Sequence, residues 1–237
     1  DENYFTTLAF VNISENGERT FSFARKPGAD TKIEKEEVNV DILDNTKIFH
    51  VGSLSLTHQP ARDTTLYAIH RAKEKGSIIS YDPNYRASLW KDEETAKCQM
   101  RSLIPYVDIM KISDEETALL TGSESYEEAA KILFRKGVPI VVVTLGSEGA
   151  YLYCGEGGTQ VPGFASKVVD TNGAGDSFWG GFLYCISKAE KSLTLFTLDE
   201  LRKYVRFGNA LASLCVERKG AIPAMPSLAE VEQRLER

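Results

Sequence analysis

Four short, continuously apolar runs, KIFHVG, SIISYD, VDIMKI and PIVVVTL, alternate with helical stretches along the middle of the chain. No other feature restricts the fold as strongly. A strand that is apolar on both faces must be covered on both faces, and a helix between consecutive strands returns the chain for parallel pairing. The helices carry boundary signals of their own: Pro60 near a start, Gly76 after an end, and S-x-x-E capping boxes at Ser113/Glu116, Ser125/Glu128 and Ser227/Glu230. The pattern predicts an α/β domain with a mostly parallel sheet between layers of helix.

Two stretches depart from it. Residues 5–13 (FTTLAFVNI) and 19–24 (RTFSFA) are aromatic and β-branched, and the segment between them, Ser14 to Glu18, holds Asn16-Gly17, a hairpin turn pair. This ribbon is expected to make residues 1–30 a small lid, with residues 31–237 as the main α/β domain. A second hairpin is expected from GAYLYC to TQVPGF across Gly155–Gly158, followed by two longer helices near 174–188 and 199–218.

Composition narrows the function classes. Of 237 residues 42% are hydrophobic and 26% charged, which excludes disordered and low-complexity classes. With 28 basic against 34 acidic residues the net charge is -6, which disfavours a polyanionic partner, so no nucleic acid is expected. Cys98, Cys154, Cys185 and Cys215 form no CxxC pair, and His50, His58 and His70 show no zinc-ligand spacing. Reduced thiols, with no signal peptide and no long apolar span, predict a cytoplasmic protein and no membrane partner. The opening Asp1-Glu2-Asn3 runs at once into strand sequence, and the expectation is that numbering starts partway through a longer gene product.

Val168 to Gly181, VVDTNGAGDSFWGG, is the stretch richest in chemistry. It reads as an apolar strand ending at Asp170-Thr171, a loop through Gly173-Ala174-Gly175, and a helix containing Asp176. Glycines at a helix entrance let backbone N–H groups face an anion, and the helix dipole favours negative charge there. A carboxylate inside the first turn would repel phosphate, but it can take a proton from a hydroxyl that attacks phosphorus. The plainer alternative is a connecting turn with Asp176 as a dipole partner.

DTNGAGDSFWGG resembles the C-terminal signature of the ribokinase/PfkB family of carbohydrate kinases, and the resemblance extends through TLGSEG, GNA (Gly208–Ala210) and KGA (Lys219–Ala221). Within the family, the stretches FTTLAFVNISENGERTFSFARKPGAD and FHVGSLSLTHQPARDTTLYAIHRAKEKGSIISYDPNYRASLW look most like fructokinases. The resemblance implies a ribokinase-like α/β/α fold with an antiparallel lid, and ATP-dependent phosphorylation of a sugar, fructose first. A ribosyl nucleoside-like kinase and a non-catalytic homologue are the alternatives. By resemblance, Asp176 is the catalytic base, and Gly173, Ala174 and Gly175 stabilise the transferred phosphoryl group. Thr144, Gly146, Gly149, Asn209 and Lys111 then hold the nucleotide. Glu116 and Asp170 serve metal ions, Mg²⁺ for the first and optionally K⁺ near the second. Glu116 has a competing role, since Ser113/Glu116 is a complete capping box. Ser113 stands where many members have Asn. The family's first strand, with a sugar-binding Asp, and the Gly-Gly and Asn segment after it have no counterpart here, so half of the sugar site is expected to be missing. A homodimer through the lid is a further expectation.

Asp82, Asn84 and Arg86 of YDPNYR come directly after the run SIISYD begins to close, at the strand edge where parallel sheets bind ligands. They are the substrate candidates. An Asx-type turn with a solvated Arg86 is the competing reading.

Overall fold

The computed structural model describes residues 2–13, 19–26 and 28–237. The strands among these residues are β1 Leu8–Ile13, β2 Arg19–Ala24, β3 Ile48–Gly52, β4 Ile78–Asp82, β5 Ile109–Ser113, β6 Ile140–Thr144, β7 Ala150–Cys154 and β8 Gly157–Val161. The helices are α1 Val40–Asp44, α2 Ala61–Glu74, α3 Glu93–Ser102, α4 Thr117–Thr121, α5 Tyr126–Arg135, α6 Ala174–Lys188, α7 Leu198–Cys215 and α8 Leu228–Leu235. Strands β1 and β2 form their own antiparallel sheet; the others make a mixed, mostly parallel sheet of order β3-β4-β5-β6-β7-β8, flanked by helices. The chain divides into two compact units, Asp1–Ile109 and Met110–Arg237.

In the first unit β3 and β4 run parallel, Ile48 opposite Ile78 through Gly52 opposite Asp82, and α2 packs on both. Ile79 and Tyr81 of β4 are fully buried. β3 behaves differently from the expectation for a continuously apolar run: Ile48 and Phe49 are only half-buried and His50 is exposed. It ends the sheet with a single strand neighbour. In the β1–β2 ribbon, Leu8 stands opposite Ala24 and Ile13 opposite Arg19. Phe5, Leu8 and Phe10 are about half exposed, because a two-stranded ribbon has one layer and nothing to close on. The predicted turn at Ser14–Glu18 lies outside the described residues. Arg25 is buried at the ribbon's base, where it donates to the Asp30 carboxylate (2.8 Å), the Thr57 hydroxyl (2.9 Å) and the Leu54 carbonyl (2.9 Å).

The second unit has a fully buried core of its own. Val141, Val142 and Val143 of β6, Leu152 of β7, and Leu133 of α5 have no exposed surface. The β7–β8 turn is tighter than the four residues expected from sequence: Cys154 pairs with Gly157, leaving Gly155-Glu156 as the turn. Glu156 then accepts a hydrogen bond from the Leu198 N–H at the start of α7 (2.7 Å). That end of α7 also carries a full capping box, Thr197 with Glu200. Full boxes form at Ser113/Glu116 and Ser227/Glu230, while at Ser125 only the serine half is made.

One predicted element is absent. Val168 and Val169 are not in a strand; they are 61% and 49% exposed, with the Val169 and Asp170 N–H groups both donating to the Val216 carbonyl. Two valines suggested a strand, but no neighbour strand pairs them, and the end of α7 supplies their acceptor instead. That helix stops at Cys215, short of the predicted residue 218.

Candidate active site

Asp170 anchors the glycine loop of the second unit. Its buried carboxylate accepts from the Asn172 N–H (3.0 Å) through one oxygen and from the Gly220 N–H (2.9 Å) through the other. The first bond makes an Asx turn; the second ties the loop to a segment fifty positions later in the chain. Gly173 caps α6 with φ = 75° and ψ = 4°, a left-handed conformation that disfavours side chains. A Cβ there would also stand 2.9 Å from the Ala221 Cβ. The Cys215 thiol donates to the Asn172 carbonyl (3.6 Å); burial, the largest influence, holds that thiol above its usual pKa. The loop is therefore braced by a carboxylate, a thiol and a close backbone contact before any ligand arrives.

α6 begins at Ala174, so Gly175 and Asp176 lie in its first turn, Asp176 with an exposed carboxylate. Lys111, buried in the middle of β5, reaches the same turn: a Cβ on Gly175 would stand 3.2 Å from the Lys111 Nζ. Two features of one sign, an ammonium and the positive end of a helix, converge here.

Thr144 ends β6 and donates its hydroxyl to the Ile112 carbonyl of β5 (3.3 Å). Gly146 and Gly149 both have positive φ, 56° and 97°. Gly149 has a second constraint, because a Cβ would fall 2.1 Å from the Val161 carbonyl oxygen at the end of β8. Asn209 of α7 is buried and donates its amide to the Val161 and Pro162 carbonyls, each at 3.1 Å. The turn at Thr144–Gly149, the exit of β8 and α7 are thus brought together, with the Asn209 amide engaged in holding backbone.

Glu116 is buried and closes the capping box, accepting from the Ser113 N–H at 2.9 Å. Among the described residues no three His, Cys, Asp or Glu side chains group as a metal cage. A Mg²⁺ ion carried by nucleotide phosphates keeps most of its water and needs only one or two carboxylates. Glu116 can fill that lesser role; Asp170 is committed to two backbone amides.

In the first unit Asp82 is buried at the end of β4 and accepts from the Asn84 N–H (3.1 Å), the Asx turn that the sequence offered as an alternative. Asn84 adopts φ = 49°, the only positive φ outside glycine among the described residues. Arg86 is half-buried and donates to the Tyr85 carbonyl (2.9 Å). β2 of the ribbon lies against the next 3-10 turn, Ala87–Leu89. Among the described residues of this unit, Ser53 Oγ after β3 and Trp90 Nε1 after β4 are buried polar atoms with no hydrogen-bond partner. Neither carries a sequence signal that would have marked it.

The chain belongs to the pfkB family of carbohydrate kinases, whose model matches residues 1–228. It is 40% identical to fructokinase-1 of Zea mays over 240 residues, covering 100% of this chain and 73% of that protein. It is 39% identical to fructokinase-2 of Oryza sativa subsp. japonica, covering 98% of this chain and 69% of the relative. Among solved structures, the fructokinase of Vibrio cholerae O395 with fructose, ADP and calcium ion bound superposes with a TM-score of 0.87 at 34% identity, over 97% of this chain and 73% of that one. No helix among the described residues is long and apolar enough to cross a membrane.

Proposed function

We propose that this protein transfers the γ-phosphoryl group of ATP to a primary hydroxyl of fructose, giving fructose 6-phosphate and ADP. The observation that carries the reading is the exposed carboxylate of Asp176 in the first turn of α6, directly after a braced glycine loop. Asp176 takes the proton of the sugar hydroxyl. The hydroxyl oxygen forms a bond to the γ-phosphorus as the bond from phosphorus to the β–γ bridging oxygen breaks, and ADP leaves. The N–H groups at Gly173 and Gly175 face the charge on the group in transit, while the Ala174 N–H, expected to join them, donates to the Thr171 carbonyl (3.2 Å) and holds the turn. Positioning and fixed dipoles supply the acceleration, because a loose phosphoryl-transfer transition state demands little covalent chemistry.

Thr144, Gly146, Gly149 and Lys111 are assigned to the nucleotide, with Asn209 holding the wall of its site. Glu116 is assigned to water on Mg²⁺, which when bound neutralises phosphate charge. Asp82, Asn84 and Arg86 are assigned to the sugar. The β1–β2 ribbon is read as a lid over that loop, since β2 already lies against Ala87–Leu89 and its outer face is apolar. The same apolar face fits pairing with a second copy. All four cysteines are free thiols, which suits a reducing, cytoplasmic setting.

ADP release measured with fructose, glucose, ribose and ribosyl nucleosides in turn tests the reading. Fructose is expected to give the highest kcat/KM; a nucleoside in first place would move the chain to the riboside-kinase alternative, and turnover of none of them would remove the proposal.

A further inference from the structure

Among the described residues of the first unit, Arg25 is the one buried arginine, and it is the first residue out of β2. The strand residues before it, Ser22 to Ala24, are exposed or half-buried. Its Nε and one Nη stand 2.8 and 2.6 Å from a single oxygen of Asp30. The other Asp30 oxygen accepts from the Thr7 hydroxyl, on the segment entering β1, and the Ala29 N–H donates to the Phe5 carbonyl (2.9 Å). Both legs of the ribbon are thus closed on one another. Gly28 completes the knot, since a Cβ there would stand 2.1 Å from the Thr7 hydroxyl oxygen and 2.5 Å from Asp30.

Arg25 fastens this knot to Leu54 and Thr57 in the loop after β3. That loop is fixed in turn: Leu56 is 1% exposed, and its carbonyl accepts from Arg62 of α2 (2.7 Å). The same loop is joined to the sugar candidates, because the Ser53 N–H donates to the carbonyl of Pro83, between Asp82 and Asn84 (3.1 Å). A buried ion pair is weak ground for stability, since desolvation offsets much of its attraction. What a guanidinium adds is direction: a planar fork of five donors fixes the angle between the pieces it joins, as an ammonium cannot.

We propose that Arg25 is a positioning residue that sets the ribbon at a fixed angle to the loop Asp82–Arg86, so that the lid grips the sugar without Arg25 touching it. The inference rests on the kinase reading and the lid assignment above, and goes beyond them in naming what aims the lid.

Arg25→Lys and Thr57→Val, singly and together, test this by fructose KM, ATP KM, melting temperature and the ADP formed per sugar phosphate. Arg25→Lys keeps the charge but cannot reach every acceptor; it is expected to raise the fructose KM about ten- to a hundredfold and to leave the ATP KM near wild type. When the sugar is seated loosely, water attacks the γ-phosphorus in its place and gives ADP and inorganic phosphate, so the ADP ratio is expected to rise above that of wild type. Thr57→Val removes one uncharged acceptor and is expected to raise the fructose KM about threefold. The double variant is expected to resemble Arg25→Lys alone, since Thr57 acts through Arg25. Should Arg25→Lys fail to fold, Thr57→Val alone decides, by that rise or its absence. A lower melting temperature with both KM values and the ADP ratio unchanged would make Arg25 a structural brace and overturn the proposal, as would equal rises in both KM values. If the kinase reading itself were wrong, wild type would phosphorylate no sugar, a result seen before any variant is compared.

Discussion

One local device, found in both units, carries a different kind of residue in each. Asp82 and Asp170 are both buried, and each accepts the N–H of the residue two positions on, Asn84 at 3.1 Å and Asn172 at 3.0 Å. Both turns then enter the left-handed region, at Asn84 (φ 49°) and Gly173 (φ 75°). After Asp82 the chain continues with side chains, Asn84, Tyr85 and Arg86. After Asp170 it continues, past Thr171 and Asn172, with Gly-Ala-Gly and a helix start, a stretch with no side chain longer than a methyl. The Asp170 turn is also held from a distance by Gly220, Ala221 and Cys215. A loop of side chains can select a substrate by shape and hydrogen bonds; a bare, rigid loop can stabilise charge that develops on phosphate. The difference teaches that an Asx turn is only a pedestal, and that the residues mounted on it decide the chemistry.

The contrast can be broken by mutation. Asp176→Asn keeps the shape of the side chain, so fold and ATP affinity are expected to be preserved while kcat falls about 10²–10⁴-fold, the usual worth of a positioned general base. If Asp176 were only a dipole partner, kcat would stay near wild type and stability would drop by about 0.3–1 kcal/mol. Asp170→Ala leaves two backbone N–H groups without their acceptor; at about 1–3 kcal/mol for each such group, a loss of about 2–6 kcal/mol is expected in denaturant unfolding, with nucleotide affinity falling alongside. A milder loss would mean that Cys215 and Ala221 hold the loop without it.

Arg86→Ala addresses the other pedestal. It is expected to raise the sugar KM about ten- to a hundredfold, from a lost hydrogen bond to a charged group worth about 1.5–3 kcal/mol, while the ATP KM stays near wild type. Equal effects on both substrates would make Arg86 structural. The smallest change is expected from Asn84→Gly, since glycine takes a positive φ without strain: stability within about 1 kcal/mol of wild type, and a measurable rise in sugar KM only if the Asn84 side chain touches the sugar.

Sequence reading located the elements where a single physical demand dominates. KIFHVG, SIISYD, VDIMKI and PIVVVTL became β3 to β6 because apolar runs of that length have few other uses inside a sheet, and α6 started at Ala174 because Gly173 can turn where other residues resist. It misplaced Val168-Val169, where hydrophobicity suggested burial but the backbone found its acceptor at Val216 and left both side chains outside. Periodicity also missed that β3 is half-exposed, since a strand's place in the order of the sheet is a long-range property. At the site, the loop was legible as a motif, whereas its bracing by Gly220 and the meeting of Lys111 with Gly175 depend on contacts between distant segments. The KGA motif was visible; what its glycine N–H is for was not.

The grip of the β7–β8 hairpin on α7 limits how this part of the molecule can drift. Glu156 holds the helix by its first amide at Leu198, and Asn209 holds the far end of the same hairpin at Val161 and Pro162. The helical rise between Leu198 and Asn209 must therefore match the length of β8 as two teeth match one notch spacing. One residue inserted or deleted within that stretch of α7 would rotate Asn209 by about 100° away from its two carbonyls, and a longer turn at Gly155-Glu156 would lift the other tooth. Length variation in descendants of this sequence should accumulate elsewhere, with this segment keeping a constant count while its exposed residues change freely.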